Sequence, residues 1–249
     1  MMKPLKFFIV SMFFSFFFCA CSSHLTKDSA NNRKKQVLVF TKTNGYRHES
    51  IPDGIEAIKK LGRENNFTMD ASEDSLVFTP QNLKKYDAII FLNTTGTILG
   101  QEQKLAFINY MQKGGGFVGV HAATDCEYGW PWYVKMVGAN FKSHPDQQTA
   151  ILNTTKLPHA ATSYLPASWQ RKDEWYNFKN INPNIKVILT IDETSYKGGE
   201  NGAFHPMAWY HEYENGKVFY TALGHTKESY QEPLFLQHLA AGILYSMKK

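Results

Sequence analysis

Val37-Leu38-Val39-Phe40, Ala88-Ile89-Ile90-Phe91-Leu92 and Phe117-Val118-Gly119-Val120 are short, unbroken apolar runs, each followed by polar residues. A strand with one wet face alternates apolar and polar residues, so an unbroken run marks a strand covered on both faces. The stretches between these runs carry helical spacing. After the first run, Ser50 is placed to cap a helix, with Pro52 in its first turn and Asp53 three residues on. Ile55, Ile58 and Leu61 continue that helix, and Gly62 is its expected stop. A second helix is expected over Gln101–Lys113, with Leu105, Ile108 and Met111 on its apolar side and Gly114-Gly115-Gly116 ending it. Strand, helix, strand, helix is the order of a parallel sheet wound on both faces, so the fold class is α/β.

Further strands are expected at Phe67–Asp70, Thr149–Asn153 and Lys186–Ile191. Met207–Tyr213 and Lys217–Ala222 flank Glu214-Asn215-Gly216, which reads as a hairpin turn. A final helix is expected over Leu234–Ser246. With 249 residues and 43% hydrophobic content, the chain can bury one sizeable core. A net charge of +5, mild and scattered, makes no nucleic-acid surface. The 3 Cys do not make a disulfide framework.

The first residues read as an address. Lys3 and Lys6 precede the apolar stretch Phe7–Phe18, which is short for a membrane span and about right for a signal segment. Cys19-Ala20-Cys21 then resembles a bacterial lipobox. That resemblance implies cleavage after residue 20, acylation of Cys21, and an exported lipoprotein held on the periplasmic or outer-membrane side of the envelope. Phe18 and Cys19 depart from the pattern, and ordinary signal cleavage stays open. Acyl chains hold a protein to a bilayer at about 0.8 kcal/mol per buried methylene. The polar residues 21–35 read as a tether, and residues 36–249 as the folded domain.

Ligands of open parallel sheets bind outside the carboxyl ends of the strands. That rule gathers Arg47 and His48 after the first run, Thr94 after the second, and His121 and Asp125 after the third. His225 follows the last expected strand. His121 ends the strand of GGGFVGVHAATD, flanked by Gly119, Ala122 and Ala123, as at a sharp turn that lifts one residue above a sheet. Imidazole serves as acid, base or metal ligand near neutrality. His144 precedes Pro145, which biases it to extended backbone. Asp173-Glu174-Trp175-Tyr176 sets acids beside aromatic faces, a pairing suited to a sugar, and His205-Pro206 with Trp209 repeats the theme.

GYRHESI, GGGFVGVHAATD, FKSHP, DEWYNF and HPMAWYHEYENGKVFYTALGHT follow one another across residues 36–247. In that order they resemble the ThuA-like family of trehalose-utilisation type. The resemblance implies a flavodoxin-like three-layer sandwich with a mostly parallel central sheet, similar to class I glutamine amidotransferases. Where those enzymes carry a nucleophilic Cys, this chain has His121, and Cys126 lies five residues on. Thiol-based glutamine hydrolysis is therefore not expected. The resemblance also implies breakdown of trehalose and related disaccharides through 3-keto sugars.

On this reading the chain is an enzyme acting on a glycoside or 3-keto-glycoside by hydrolysis, elimination or isomerisation. His121 is base or metal ligand, and Asp125 orients it or shares its proton. His48, His144 and His225 supply acid, ligand or hydroxyl contacts. Glu174, Trp175 and Trp209 hold the sugar, with Arg47, Thr94 and His205 as further contacts. No HExxH-like or Cys-rich spacing is present, yet N and O ligands from several loops can converge on a divalent metal, so the cofactor stays open. The alternative is a sugar-binding lipoprotein without turnover.

Overall fold

The apolar runs form the middle of a nine-stranded sheet. The computed structural model describes Met1, Met2, Pro4 and residues 33–247. The chain divides into two units, Met1–Arg33 and Lys34–Lys249, and every described strand and helix lies in the second. The signal segment, Cys21 and most of the tether lie outside the described residues.

Strands β1 (Lys35–Phe40), β2 (Phe67–Ser72), β3 (Ala88–Leu92) and β4 (Gly116–Val120) are joined by helices α1 (Ile51–Glu64), α2 (Pro80–Leu83) and α3 (Gln101–Gln112). Helix α4 (Pro131–Val137) and strands β5 (Asn140–Ser143), β6 (Gln148–Thr154), β7 (Ser168–Asp173), β8 (Asn177–Lys179), β9 (Lys186–Asp192), β10 (His205–Tyr213) and β11 (Gly216–Thr221) come next, before α5 (Pro233–Ser246). The order across the sheet is β2-β1-β3-β4-β11-β10-β9-β6-β7. From β2 to β11 every pairing is parallel, and beyond β11 every pairing is antiparallel. The fully buried β3 and β4 sit at the centre of the parallel half, where a strand must be apolar on both faces.

Adjacent residues of β3 show the two layers. Phe91 packs on Phe107 of α3 and Tyr133 of α4, whereas Leu92 meets α1 at Gly54, where a Cβ would sit 2.9 Å from its methyl. Helix α1 runs past the expected stop at Gly62 to Glu64. The glycine is there because a Cβ would lie 2.8 Å from the Phe67 carbonyl of β2. Ser50 does precede α1, but its side chain makes no cap; it bonds Asn93 and Gly224 instead. On α3 the buried face is Ala106, Phe107, Tyr110 and Met111, and the expected Leu105 is 57% exposed.

β2 lies on one side of β1 and β3 on the other, so the connections that leave β1 and β3 diverge and open a crevice at the carboxyl edge. A parallel bridge between Thr43 and Thr95 stiffens the loops that diverge there. The separate β5–β8 ribbon carries His144 one residue beyond its first strand.

Candidate functional site

His121 follows β4 directly and adopts φ +48°, a left-handed conformation that costs energy in a residue with a Cβ. The surrounding structure holds it there. A Cβ on Gly119 would lie 2.8 Å from the Tyr220 ring and 3.1 Å from Ala123, so the turn closes only on small neighbours. The Tyr220 hydroxyl donates to the His121 carbonyl at 2.7 Å. The His121 ring lies 4.2 Å from that of Tyr176. Its Nδ1 is 2.8 Å from the Ala222 carbonyl, an acceptor only, so Nδ1 carries the proton and Nε2 faces the crevice.

His121 Nε2 meets His225 Nδ1 at 3.2 Å and Glu174 Oε2 at 3.3 Å, and His225 Nδ1 is 3.1 Å from the same oxygen. The His48 ring stands edge-on to both imidazoles, at 4.9 Å from His121 and 5.0 Å from His225. One ligand-capable atom from each of His48, His121, Glu174 and His225 lies within 4.8 Å of all the others. His144 approaches from the rim, with Nδ1 3.2 Å from Glu174 Oε1. Residues separated by most of the chain thus meet at one point above the sheet.

This group can hold a metal ion. Two ligand atoms about 2.1 Å from one ion, at tetrahedral or octahedral angles, stand about 3.0–3.4 Å apart. The His121–His225–Glu174 triangle has that spacing. His48 Nδ1 is buried with no hydrogen-bond partner, the condition of a ring nitrogen awaiting a ligand rather than a core contact. The donors are nitrogen and carboxylate oxygen, a set suited to zinc, manganese or iron(II).

The shifts of His48 and Glu174 leave both in the protonation state that binds a metal ion. Burial, then the charges of His121 and His225, push the His48 imidazole down to about 2, so its ring stays neutral with a lone pair to offer. For Glu174, burial acts upward, but the His121 and His225 rings beside it outweigh that and hold the carboxyl far below the usual range. Asp125 is different. Burial raises its pKa against the pull of the Tyr128 hydroxyl, which donates to Oδ1 at 2.6 Å. A carboxyl that keeps its proton more readily than usual is suited to proton transfer.

Asp173 belongs to the acid–aromatic segment but has no role assigned from sequence, and it positions two of the expected residues. Its fully buried carboxylate accepts from the backbone N–H of Glu174 at 2.9 Å, Gly224 at 3.0 Å and His225 at 3.2 Å. Ser229 Oγ donates to it at 3.2 Å, and Arg171 lies at 3.1 Å. Gly224 makes the close turn possible, since at φ +107° a Cβ would lie 2.8 Å from the Tyr230 hydroxyl. The alternation Trp169, Arg171, Asp173 on the buried face of β7 was the available signal.

Burial takes Trp175, Trp209, His205 and Thr94 out of a ligand's reach. Trp175 and Trp209 are wholly inside; their indoles donate to the carbonyls of Gln148 and Val137, at 2.8 Å each, and neither offers a face to a sugar. His205 is also wholly buried, bonded to Glu193 at 2.8 Å and to the Tyr176 carbonyl at 2.8 Å, so it braces the segment behind His121. Thr94 is sealed in, its hydroxyl 3.4 Å from the Cys126 sulfur. Arg47 is paired with Glu73 at 2.6 Å, both half exposed. Burial pushes the Cys126 thiol up to about 12, and a thiol so protonated is no nucleophile.

The ThuA family model, described as trehalose utilisation, matches residues 36–246. Among solved structures, a ThuA-like protein from Bacteroides uniformis is 24% identical with a TM-score of 0.74, over 89% of this chain and 94% of that one. A ThuA-like protein from Parabacteroides merdae is 21% identical with a TM-score of 0.72, over 87% of this chain and 91% of that one. A Thermoplasma acidophilum protein described as a GMP synthase component is 10% identical with a TM-score of 0.54, over 86% of this chain and 94% of that one. No curated protein matches the chain. At these identities the structures share a fold.

Proposed function

The chain belongs to the ThuA family, and from that premise we propose that it is an exported, lipid-anchored enzyme cleaving trehalose-type disaccharides or their 3-keto forms at a divalent-metal centre. The observation that carries this reading is the meeting of His48, His121, His225 and Glu174 within 4.8 Å at the carboxyl edge of the sheet. A divalent ion there supplies a Lewis acid for a sugar carbonyl or hydroxyl.

The rest is work for this chain's own side chains. In a 3-keto-glycoside the ketone acidifies the C–H at carbon 2. A base removes that proton, a C=C bond forms between carbons 1 and 2, and the glycosidic C–O bond breaks with its electrons on the leaving oxygen. His144, 42% exposed at its side chain and held by Glu174, is the base best placed to exchange its proton with solvent. Asp125, whose partly buried carboxyl takes a proton more readily than a free one, returns a proton to the departing oxygen. Water adding across the C=C bond then gives the free keto sugar, so the net reaction is hydrolysis.

The test is incubation of the full chain with 3-keto-trehalose and Mn²⁺ or Zn²⁺, or with a chelator, reading released glucose. Release that needs the metal and fails in His121→Ala supports the enzyme. Trehalose bound without release under any metal supports the binding-protein reading instead. The anchor has its own test: Cys21→Ala moves the chain from the membrane fraction to the soluble one, and an unchanged distribution contradicts it.

A further inference from the structure

Burial removes Trp175 and Trp209 as sugar platforms, which leaves the reacting centre in need of another aromatic face. Beside the cluster lies a cleft of about 470 Å³, within the usual range for small-ligand sites, that shares His225 with it. Tyr46 lines that cleft and is 63% exposed. Its ring stands perpendicular to that of His48, with centroids 4.9 Å apart. A large exposed aromatic beside a buried polar cluster has a hydrophobic face left uncovered by the protein itself.

The backbone beneath Tyr46 is fixed. Thr95 Oγ1 donates to the Tyr46 carbonyl at 2.9 Å and accepts from Gly45 N–H at 3.2 Å, and Asn44 N–H donates to the Thr95 carbonyl at 2.8 Å. An exposed ring on a pinned backbone is a platform that loses little freedom on binding. Gln147 lines the cleft and offers an amide, whereas the Thr226 hydroxyl is engaged with Ser229 at 3.0 Å. Lys227 and Glu49 pair at 3.1 Å on the wall, and Glu228 adds a second carboxylate to it. An aromatic face with an amide, a lysine and carboxylates around it suits a polyhydroxylated ring, whose C–H face stacks while its hydroxyls find donors and acceptors.

We propose that this cleft is the subsite for the pyranose ring next to the reacting one, with Tyr46 as its stacking platform. The inference rests on the reading of the His/Glu cluster as the catalytic centre, since His225 belongs to both walls.

The experiment measures trehalose binding to the full chain by calorimetry, with chelator present, for the parent and for Tyr46→Ala, Tyr46→Phe and Phe204→Ala. Phe204 is a control, an aromatic 62% exposed and absent from the cleft lining. The expected result is a loss of about tenfold in affinity for Tyr46→Ala, with Tyr46→Phe and Phe204→Ala near the parent. Mn²⁺ affinity and melting temperature stay at parent values in Tyr46→Ala. Undiminished trehalose binding by Tyr46→Ala overturns the proposal. So does a parallel fall in its Mn²⁺ affinity, which would mean Tyr46 acts only by bracing His48. No binding of trehalose to the parent also overturns it, whatever the metal does. Tyr46-dependent sugar binding without any metal binding would leave the subsite standing and remove the metal reading alone.

Discussion

Asp173→Asn is the perturbation that separates a held site from a merely adjacent one. The variant keeps the size of the side chain and replaces one carboxylate oxygen with an NH₂. Oδ1 takes the Glu174 and His225 backbone N–H groups, and Oδ2 takes Gly224 N–H, Ser229 Oγ and Arg171. Either orientation of the amide therefore sets donor against donor. With the NH₂ turned toward it, the Arg171 guanidinium, 4% exposed at its side chain, loses its buried charge partner and keeps the Ser229 hydroxyl at 2.7 Å and the weaker Glu232 contact at 3.4 Å. Breaking a buried pair from one side costs about 3–5 kcal/mol, against about 1 kcal/mol for an ordinary hydrogen bond. For a domain of this length that lowers the melting temperature by roughly 6–20 °C. Because the same oxygens set the spacing of Glu174 and His225, affinity for Mn²⁺ or Zn²⁺ falls about 10–100-fold below the melting transition. Thermal unfolding by circular dichroism and calorimetric metal titration at about 20 °C below the variant's midpoint read the two effects. A variant that melts early yet binds metal like the parent refutes the positioning role. One that matches the parent in both refutes the reading of the whole buried network.

Added Mn²⁺ or Zn²⁺ at about 100 times its Kd stabilises the chain by about 2.7 kcal/mol, or roughly 5–11 °C in melting temperature, and the gain vanishes in His121→Ala. An equal shift in that variant would place the ion elsewhere. Burial holds His238 down to about 4, so the folded chain keeps it neutral while the unfolded chain protonates it from about 6.5. Its contribution is complete above pH 6.5 and is lost as pH falls toward 4, at up to about 1.4 kcal/mol per pH unit. Urea unfolding at pH 7 and pH 5 checks this, and equal stabilities would contradict it. Cys126 is fully buried, so a thiol reagent labels it only on unfolding, and Cys126→Ala leaves turnover of 3-keto-trehalose unchanged. Lost turnover in a folded variant would restore a thiol mechanism.

The central strands were legible because burial on both faces leaves only one kind of residue, as in Ala88–Leu92. The antiparallel wing was less legible. β7 alternates buried and exposed residues but contains Arg171 and Asp173 on its buried side, so it does not read as a strand from hydrophobicity. Ser50 sits where a cap belongs, but the pull of Asn93 and Gly224 across the crevice is a tertiary contact that local sequence does not contain. Among the site residues, His48, His121 and His225 were found by one rule about strand ends, and Glu174 by its acid-aromatic neighbourhood. That same neighbourhood misplaced Trp175. A Trp beside a carboxylate has the same local sequence whether its face meets a sugar or the core, and only the Gln148 carbonyl at 2.8 Å from its indole decides.

The central claim is that side chains from four separate loops make one metal centre. A crystal of the full chain soaked in Mn²⁺ and measured for anomalous scattering tests it directly. The account predicts a single strong peak about 2.0–2.3 Å from nitrogens of His48, His121 and His225 and an oxygen of Glu174. Electron density for those residues with no anomalous peak between them, at a Mn²⁺ concentration that saturates other sites on the molecule, would contradict it.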